Sequence, residues 1–231
     1  MSRFAVLVFP GTNCEGDVLH AIEAVTGQPA ALVWHKESSL DGFDAAVVPG
    51  GFAHGDYLRA GGLARFSPVM EPLIRMAESG RAVVGICNGF QILQEAGLLP
   101  GAMLRNESLS YVCRDVHLRV EANSSPLTCG LEPGTTLRMP VGHAEGNFRA
   151  DDDVLEALER DGQVIFRYCD DGGEASDAAN PNGSRNNIAG ARNARGNVAA
   201  LMPHPDRAYE AALGGVDGCR LFESLHRFAE S

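Results

Sequence analysis

Short apolar runs alternate with helix-like segments through the first hundred residues, and this alternation constrains the fold more than any other feature of the sequence. The runs Arg3–Phe9 and Arg81–Ile86 are almost continuously apolar, as expected of strands that are covered on both faces. Two shorter runs, Ala30–Trp34 and Ala45–Val48, lie between them. This order predicts an α/β fold with a doubly wound, mostly parallel sheet and helices on both faces.

Terminal signals mark the predicted helices. Thr12 and Glu15 have the spacing of a capping box, and the helix that they open is expected to end at Gly27. Two further helices are predicted over Val69–Glu78 and Gly89–Glu95. Helices in these places supply crossovers of the kind that a parallel sheet requires.

The pattern changes from Tyr111 onwards. Strands are predicted over Val112–Val120, Thr135–Val141 and Val164–Tyr168 without clear helices between them, which indicates an antiparallel extension of the sheet in the second half. Residues Asp170–Asn197 are rich in Gly, Asn, Asp and Ala, and they are predicted to form one long irregular loop.

Length and composition suit one soluble globular domain. The chain should finish with a strand over Val198–Met202 and an amphipathic helix over Gly218–Ala229, which gives a single domain over residues 1–231. A net charge of −11 disfavours binding to nucleic acid or to an anionic membrane. No segment has the pattern of a signal peptide or a transmembrane helix, so a cytoplasmic protein is expected.

The six cysteines show no C-x-x-C spacing, which argues against a zinc knuckle or a disulfide framework.

Cys87 stands on a predicted strand-to-helix turn, in the sequence Gly-Ile-Cys-Asn-Gly over residues 85–89. This is the form of a nucleophile elbow, in which flanking glycines make room for a strained turn that lifts the nucleophile above the sheet. The helix N-terminus favours the thiolate, and the N–H of Asn88 is placed to stabilise an oxyanion. The alternative is a buried structural cysteine. Cys14 also lies between a strand and a helix, but it lacks the flanking glycines and is interpreted as structural or close to the helix cap.

A thiolate nucleophile needs a base and a group that orients the base. His204 directly follows the last predicted strand, and Pro205 favours an extended backbone that places Asp206 on the same side as the imidazole. Asp206 could then hold the imidazole in one tautomer. The alternative is a surface turn, and His54, His117 and His143 remain alternative bases.

Two glycines follow the third strand. The backbone N–H of Gly51, after Gly50, could supply the second donor of an oxyanion hole. The alternative is a simple tight turn.

With these residues in place, the chain resembles the class I (triad-type) glutamine amidotransferases, and among them the glutaminase subunits of phosphoribosylformylglycinamidine synthases. The motifs that carry the resemblance are Phe9–Glu15, Pro49–Phe52, Gly55–Gly61, Gly85–Gln91, Asn180–Ser184 and Met202–Pro205. Two positions depart from the family pattern. Asp206 stands where the family usually has Glu, and the usual His-Gly-Glu-Gly segment reads His-Ala-Glu-Gly over residues 143–146.

The resemblance implies that Cys87 attacks the side-chain amide of glutamine. The N–H groups of Gly51 and Asn88 would hold the oxyanion, and His204, oriented by Asp206, would protonate the ammonia and then activate water.

The resemblance also implies a binding residue and partners. Gln91 would help to hold glutamine, and ammonia would pass to a larger synthetase subunit that aminates formylglycinamide ribonucleotide in purine biosynthesis. A small adaptor subunit would join the complex. ATP and magnesium are expected on the synthetase, because this chain lacks a G-x-x-x-x-G-K-[ST] loop, and no cofactor or metal is expected here. The loop Asp170–Asn197 is expected to contribute to the partner surface.

Two other functions stay open at this point. Flavodoxin-like cysteine hydrolases and deglycases also carry a cysteine elbow, although the pair His204 and Asp206 together with Gln91 argues against them. A catalytically inactive binding module of the same fold is the second, and an intact Cys87 argues against it.

Overall fold

A computed structural model describes residues 1–231, and a nine-stranded sheet forms its centre. The strands are β1 (Phe4–Val8), β2 (Ala30–Trp34), β3 (Ala45–Val48), β4 (Ala82–Ile86), β5 (Ala102–Leu104), β6 (Val112–Val120), β7 (Thr136–His143), β8 (Asn147–Arg149), β9 (Val164–Cys169), β10 (Ile188–Arg192) and β11 (Val198–Leu201). The helices are α1 (Glu15–Thr26), α2 (Met70–Glu78), α3 (Asn88–Glu95), α4 (Asp152–Arg160) and α5 (Cys219–Ala229).

The sheet has a parallel half and an antiparallel half. Its strand order is β2-β1-β3-β4-β11-β10-β9-β6-β7, and β5 and β8 form a separate two-stranded sheet. The first five strands of this order run parallel, and β10 begins the antiparallel part. The predicted α/β class, with a mostly parallel sheet and an antiparallel extension, is therefore confirmed.

The parallel strands are buried because almost every side chain in them is apolar. All residues of β3, β4 and β11 are buried, and all of them except Gly85 belong to one apolar core of 57 residues. Strand β2, at the edge, is only partly buried. None of the helices combines the length and apolarity that crossing a membrane would need.

The predicted capping box is wrong. The hydroxyl of Thr12 accepts a hydrogen bond from the N–H of Phe9 at 2.9 Å, so it is engaged in the turn before the helix. Cys14 precedes the first residue of α1, and its side chain makes no cap bond. The other end is as predicted, because Gly27 closes α1 with a positive φ of 66°.

Four elements were not predicted, namely the short strands β5 and β8, helix α4 and strand β10. Helix α4 lies between β8 and β9, where no helix was expected. Strand β10 lies inside the segment predicted as one irregular loop, Asp170–Asn197. It pairs with β9 and β11, so these neighbours supply the stabilisation that its small side chains do not. Its Gly190 is needed there, because a Cβ would lie 2.8 Å from the carbonyl oxygen of Ala200.

Candidate active site

Three neighbouring parallel strands end at one edge of the sheet, and the segments after them carry the predicted site residues. Gly50 and Gly51 follow β3, Cys87 follows β4, and His204 comes shortly after β11. The strands β3, β4 and β11 are paired in register near these ends. Carboxyl ends of parallel strands are where α/β folds bind ligands, so this edge is the candidate site.

Cys87 occupies a strained turn between β4 and α3. Its φ of 51° and ψ of −107° lie outside the regions that L-residues usually adopt. Glycines on either side make the turn possible. A Cβ on Gly89 would lie 1.9 Å from the carbonyl oxygen of Val48, and one on Gly85 would lie 2.7 Å from the backbone of Gly89. The structure thus places the thiol on an elbow at the N-terminus of a helix.

His204 and Asp206 form a buried pair. Only 3% of His204 and 1% of Asp206 is exposed, and Nδ1 of the imidazole lies 3.2 Å from the nearer carboxylate oxygen. The N–H of His204 donates to the carbonyl of Pro140 at 2.8 Å, which anchors the segment to β7. Burial by itself lowers the pKa of His204. The Asp206 carboxylate and the Cys87 thiolate outweigh it and raise the pKa well above 6.5.

The nucleophile and the imidazole meet over Gly50. A Cβ on Gly50 would lie 2.6 Å from Cε1 of His204, 3.5 Å from Cβ of Cys87 and 3.2 Å from Sγ of Cys14. Any larger residue would therefore push these side chains apart. The structure brings together Cys87, His204 and Asp206, and it adds Cys14 to them.

Two backbone N–H groups near Cys87 have no backbone acceptor. Asn88 is the first residue of α3, so its N–H lies outside the intrahelical pattern. The N–H of Gly51 makes no backbone hydrogen bond. Gly51 has a φ of 146°, and a Cβ there would lie 2.8 Å from the backbone of Thr12 and of Asn13. Their role as oxyanion donors stays a prediction that this arrangement allows.

The side chains of Asn88 and Gln91 bind each other and the surrounding loops. The amide NH₂ of Asn88 donates to Oε1 of Gln91 at 2.8 Å and to Asp56 at 3.1 Å. Gln91 in turn donates to the carbonyl of Glu145 at 2.6 Å. Both ends of the Gln91 amide are thus engaged by protein, and a contact with glutamine requires exchange of one of these bonds. Burial raises the pKa of Asp56 to about 6, and its hydrogen bond from Asn88 opposes the rise.

The three alternative bases have other surroundings. His143 is 3% exposed, and burial together with His204 lowers its pKa to about 4, which keeps it neutral. His54 packs edge-on against the ring of His35. His117 lies in β6 opposite Cys169 of β9.

A buried polar layer supports the site, and part of it comes from the segment predicted as irregular. Asn182 donates to the carbonyl of Gly146 at 2.8 Å and lies 3.4 Å from Nε2 of His143. Asn106 lies 3.2 Å from the other ring nitrogen of His143. Sequence reasoning noted Asn182 only as part of a family motif, and it passed over Asn106. An asparagine within a run of turn residues was the available signal for the first.

Cys14 belongs to the same cluster, which sequence reasoning did not foresee. Its Sγ accepts a hydrogen bond from Arg207 at 3.0 Å and donates one to Asn13 at 3.1 Å, and it lies within 4.8 Å of a ring nitrogen of His204. The available signal was its position, because it follows the end of β1 just as Cys87 follows β4. It is also next to the helix cap, as the sequence predicted.

The cluster has the parts needed for acyl transfer. A thiol on an elbow, an imidazole held by a carboxylate, and free N–H groups nearby are the nucleophile, the acid–base group and the oxyanion donors of that chemistry.

Comparisons with known proteins agree with this chemistry. The relatives include the phosphoribosylformylglycinamidine synthase subunit PurQ of Salinibacter ruber, which is 54% identical over 97% of this chain and 95% of the relative. The protein of the same name from Thermomicrobium roseum is 55% identical over 96% of this chain and 94% of the relative.

Solved structures show the same architecture. PurLQS from Thermotoga maritima matches with a TM-score of 0.87 and 40% identity over 98% of both chains. A GMP synthase component from Thermoplasma acidophilum shares the fold, with a TM-score of 0.61 and 15% identity over 100% of this chain and 94% of that one. Residues 1–216 match the CobB/CobQ-like glutamine amidotransferase domain, and the chain therefore belongs to that family.

Proposed function

We propose that this chain is the glutaminase subunit of phosphoribosylformylglycinamidine synthase. The observation that carries the proposal is the meeting of Cys87 and His204 over Gly50, with Asp206 beside the imidazole. The relatives that this chain matches over nearly their full length bear the name of that enzyme's PurQ component. The same relatives argue against the deglycase-like hydrolase and the inactive binding module.

In the proposed reaction, the Cys87 thiolate attacks the side-chain amide carbon of glutamine. The N–H groups of Gly51 and Asn88 stabilise the resulting oxyanion. His204, which Asp206 holds through Nδ1, gives a proton to the nitrogen as the C–N bond breaks and ammonia leaves. Water then adds to the thioester while His204 takes its proton, and glutamate and the free thiolate are released.

The raised pKa of His204 suits this sequence. With the Asp206 carboxylate beside it, the imidazole keeps its proton near neutral pH, which suits it to give that proton to the leaving nitrogen. Gln91 lies one turn further along α3 and is proposed to bind glutamine after releasing the carbonyl of Glu145.

The proposal extends to partners. Ammonia is passed to a synthetase large subunit, which converts formylglycinamide ribonucleotide to formylglycinamidine ribonucleotide, and a small adaptor subunit completes the complex. The match to PurLQS supports a complex with such subunits. ATP and magnesium are assigned to the synthetase, with no cofactor on this chain, and the complex is placed in the cytoplasm.

Labelling with a diazo-oxo-norleucine glutamine analogue tests the glutaminase site. The analogue should modify Cys87 in the full chain mixed with the synthetase subunits, and excess glutamine should prevent the modification. Cys87→Ala should lose the label and reduce glutaminase activity by at least about a thousandfold. The matched control is Cys113→Ala, which removes an exposed thiol and should keep the label. Modification of Cys14 instead, or none in the complex, would contradict the proposal.

A further inference from the structure

We propose that Cys14, His204 and Asp206 form a Zn²⁺ site and that zinc bound there reversibly inhibits the enzyme. Binding of the ion depends only on the geometry of the three side chains. The inhibition rests on the proposed glutaminase function, because it assumes that His204 transfers protons during catalysis.

The three side chains converge from two parts of the chain. Cys14 precedes α1, whereas His204 and Asp206 follow β11. Their exposed fractions are 2%, 3% and 1%, and one ligand atom from each lies within 4.8 Å of the other two. Sulfur, imidazole nitrogen and carboxylate oxygen are together the donor set of zinc, whereas calcium and magnesium prefer oxygen alone.

The distance between His204 and Asp206 fits a shared zinc ion. Nδ1 and the nearer carboxylate oxygen are 3.2 Å apart. Tetrahedral zinc with bonds of about 2.1 Å to nitrogen and oxygen holds those atoms about 3.4 Å apart. An ion can therefore replace the proton that the two groups share with little movement of either side chain. The Cys14 sulfur lies within 4.8 Å of both atoms. Tetrahedral zinc needs a separation of about 3.6 Å, so the sulfur has to approach by at most about 1.2 Å.

Gly50 allows the imidazole of His204 and the sulfur of Cys14 to approach each other. A Cβ there would lie 2.6 Å from the imidazole and 3.2 Å from Sγ of Cys14, so only glycine keeps this side of the cluster clear. The same point lies 3.5 Å from Cβ of Cys87. Zinc prefers four ligands, and we assign the fourth position to a water molecule.

The charges around the cluster are compatible with a bound cation. The cationic group nearest to Cys14 is Arg207, whose guanidinium donates to Sγ at 3.0 Å. Asp17 lies 3.5 Å from Nε of Arg207 and offsets its charge. An N–H donor to sulfur is also the kind of outer contact that orients a thiolate ligand in metal sites. With Asp206 and a Cys14 thiolate as ligands, anionic groups outnumber the single guanidinium.

Zinc in this position stops proton transfer. With zinc on Nδ1, the neutral ring of His204 carries its one proton on Nε2 and cannot take up a second, and Asp206 no longer orients the ring. No bond of the protein is made or broken, so a chelator should restore activity.

Zinc titration of the full chain tests the site, with Zn²⁺ alone as the probe and a chromophoric chelator as competitor. We expect one zinc per chain in the wild type and in Cys129→Ser, a control that alters a thiol packed against α5. Cys14→Ser keeps the size of the side chain but removes the sulfur, and it should bind zinc at least about tenfold more weakly. The zinc concentration that halves glutaminase activity in the complex should rise by the same factor.

A second variant and a second metal keep the test decisive if Cys14→Ser fails to fold. Asp206→Asn should also weaken zinc binding, and Co²⁺ bound to the wild type should show a thiolate charge-transfer band that Cys14→Ser diminishes. Equal zinc affinity in Cys14→Ser, Asp206→Asn and the wild type, or no stoichiometric zinc, would overturn the proposal. Zinc binding that depends on Cys14, in a chain without glutaminase activity, would support the zinc site and reject the proposed function. Glutaminase activity without zinc binding would support the proposed function and reject the zinc site.

Discussion

Single residues around the site adopt backbone conformations that side chains normally avoid. Cys87, His54, Asp56 and Leu58 all have positive φ, between 51° and 75°. Each such residue costs about 1–2 kcal/mol, so tertiary contacts must hold it. For Cys87 the neighbouring glycines allow α3 to approach β3, and for Asp56 the contact is the amide of Asn88 at 3.1 Å. The strained backbone near the site thus lowers the stability of the fold, and it fixes the position of the thiol.

Asp56 makes this cost measurable through pH. Its pKa rises from 3.8 to about 6 on folding, mainly through burial. Its contribution to stability is therefore complete below pH 3.8 and is lost as the pH rises through about 6. Asp56→Asn, which tolerates the positive φ, should raise the free energy of unfolding at pH 8 by about 1 kcal/mol, a figure reduced for partial exposure of the carboxylate.

Urea unfolding at pH 5 and pH 8 checks this expectation. The gain from Asp56→Asn should be larger at pH 8 than at pH 5. Asp41→Asn, at an exposed aspartate, is the control and should show no such difference. An equal gain at both pH values would show that removing the charge of Asp56 is not the cause.

At the scale of elements, the parallel half could be predicted from the sequence and part of the antiparallel half could not. Strands β2 and β3 have the predicted bounds, because continuous apolar runs between turn signals are typical of buried strands. Strand β10 reads Ile-Ala-Gly-Ala-Arg, and only its neighbours make it a strand. Helix α4 has an aspartate at its N-cap and two more at its first two positions. Such a run resembles a loop, although acidic residues favour a helix N-terminus.

The site divides in the same way. Cys87 and His204 could be placed together because parallel strands end at one edge, whatever the rest of the fold. The neighbourhood of Cys14 could not be predicted, because it depends on how the segment that carries Arg207 packs against the start of α1. The buried layer of Asn106 and Asn182 could not be predicted either, because it depends on how long loops fold around His143.

The structure also narrows the predicted partner surface. Ile188–Arg192 lies inside the sheet, and Asn182 and Ser184 are buried, so deletion of the whole segment Asp170–Asn197 would damage the core. Exposed residues remain over 171–179. We therefore expect this shorter part to contact the synthetase subunits.

Charge reversal on that part tests the contact without touching the core. Asp171→Lys combined with Glu174→Lys should weaken binding of the synthetase subunits by about tenfold, or about 1.4 kcal/mol, measured by calorimetry. Glu23→Lys combined with Glu37→Lys makes the same charge change at exposed positions of α1 and the segment after β2. The first double variant should bind the synthetase subunits more weakly than the second. Equal affinities of the two double variants would exclude residues 171–179 from the interface.

At the scale of the whole molecule, the two halves of the sheet share one core. Its 57 residues include side chains from β1 at one end and from β6 and β7 at the other. The end of the chain packs against its beginning. Helix α5 follows the antiparallel half in sequence, but it packs against α1 and β4 of the parallel half. Neither half keeps its apolar surface covered when the other unfolds, which favours one cooperative unit over residues 1–231.

Unfolding in urea, followed by two signals, tests this cooperativity. Trp34, the single tryptophan, reports from β2 at the parallel end, while far-ultraviolet circular dichroism reports from all elements. Leu118→Ala creates a cavity in β6, at the other end, and should lower the free energy of unfolding by about 2–5 kcal/mol. Both signals should move together, as they should for the control Leu7→Ala in β1. A shift in circular dichroism that leaves the Trp34 transition in place would instead divide the chain into two separately unfolding units.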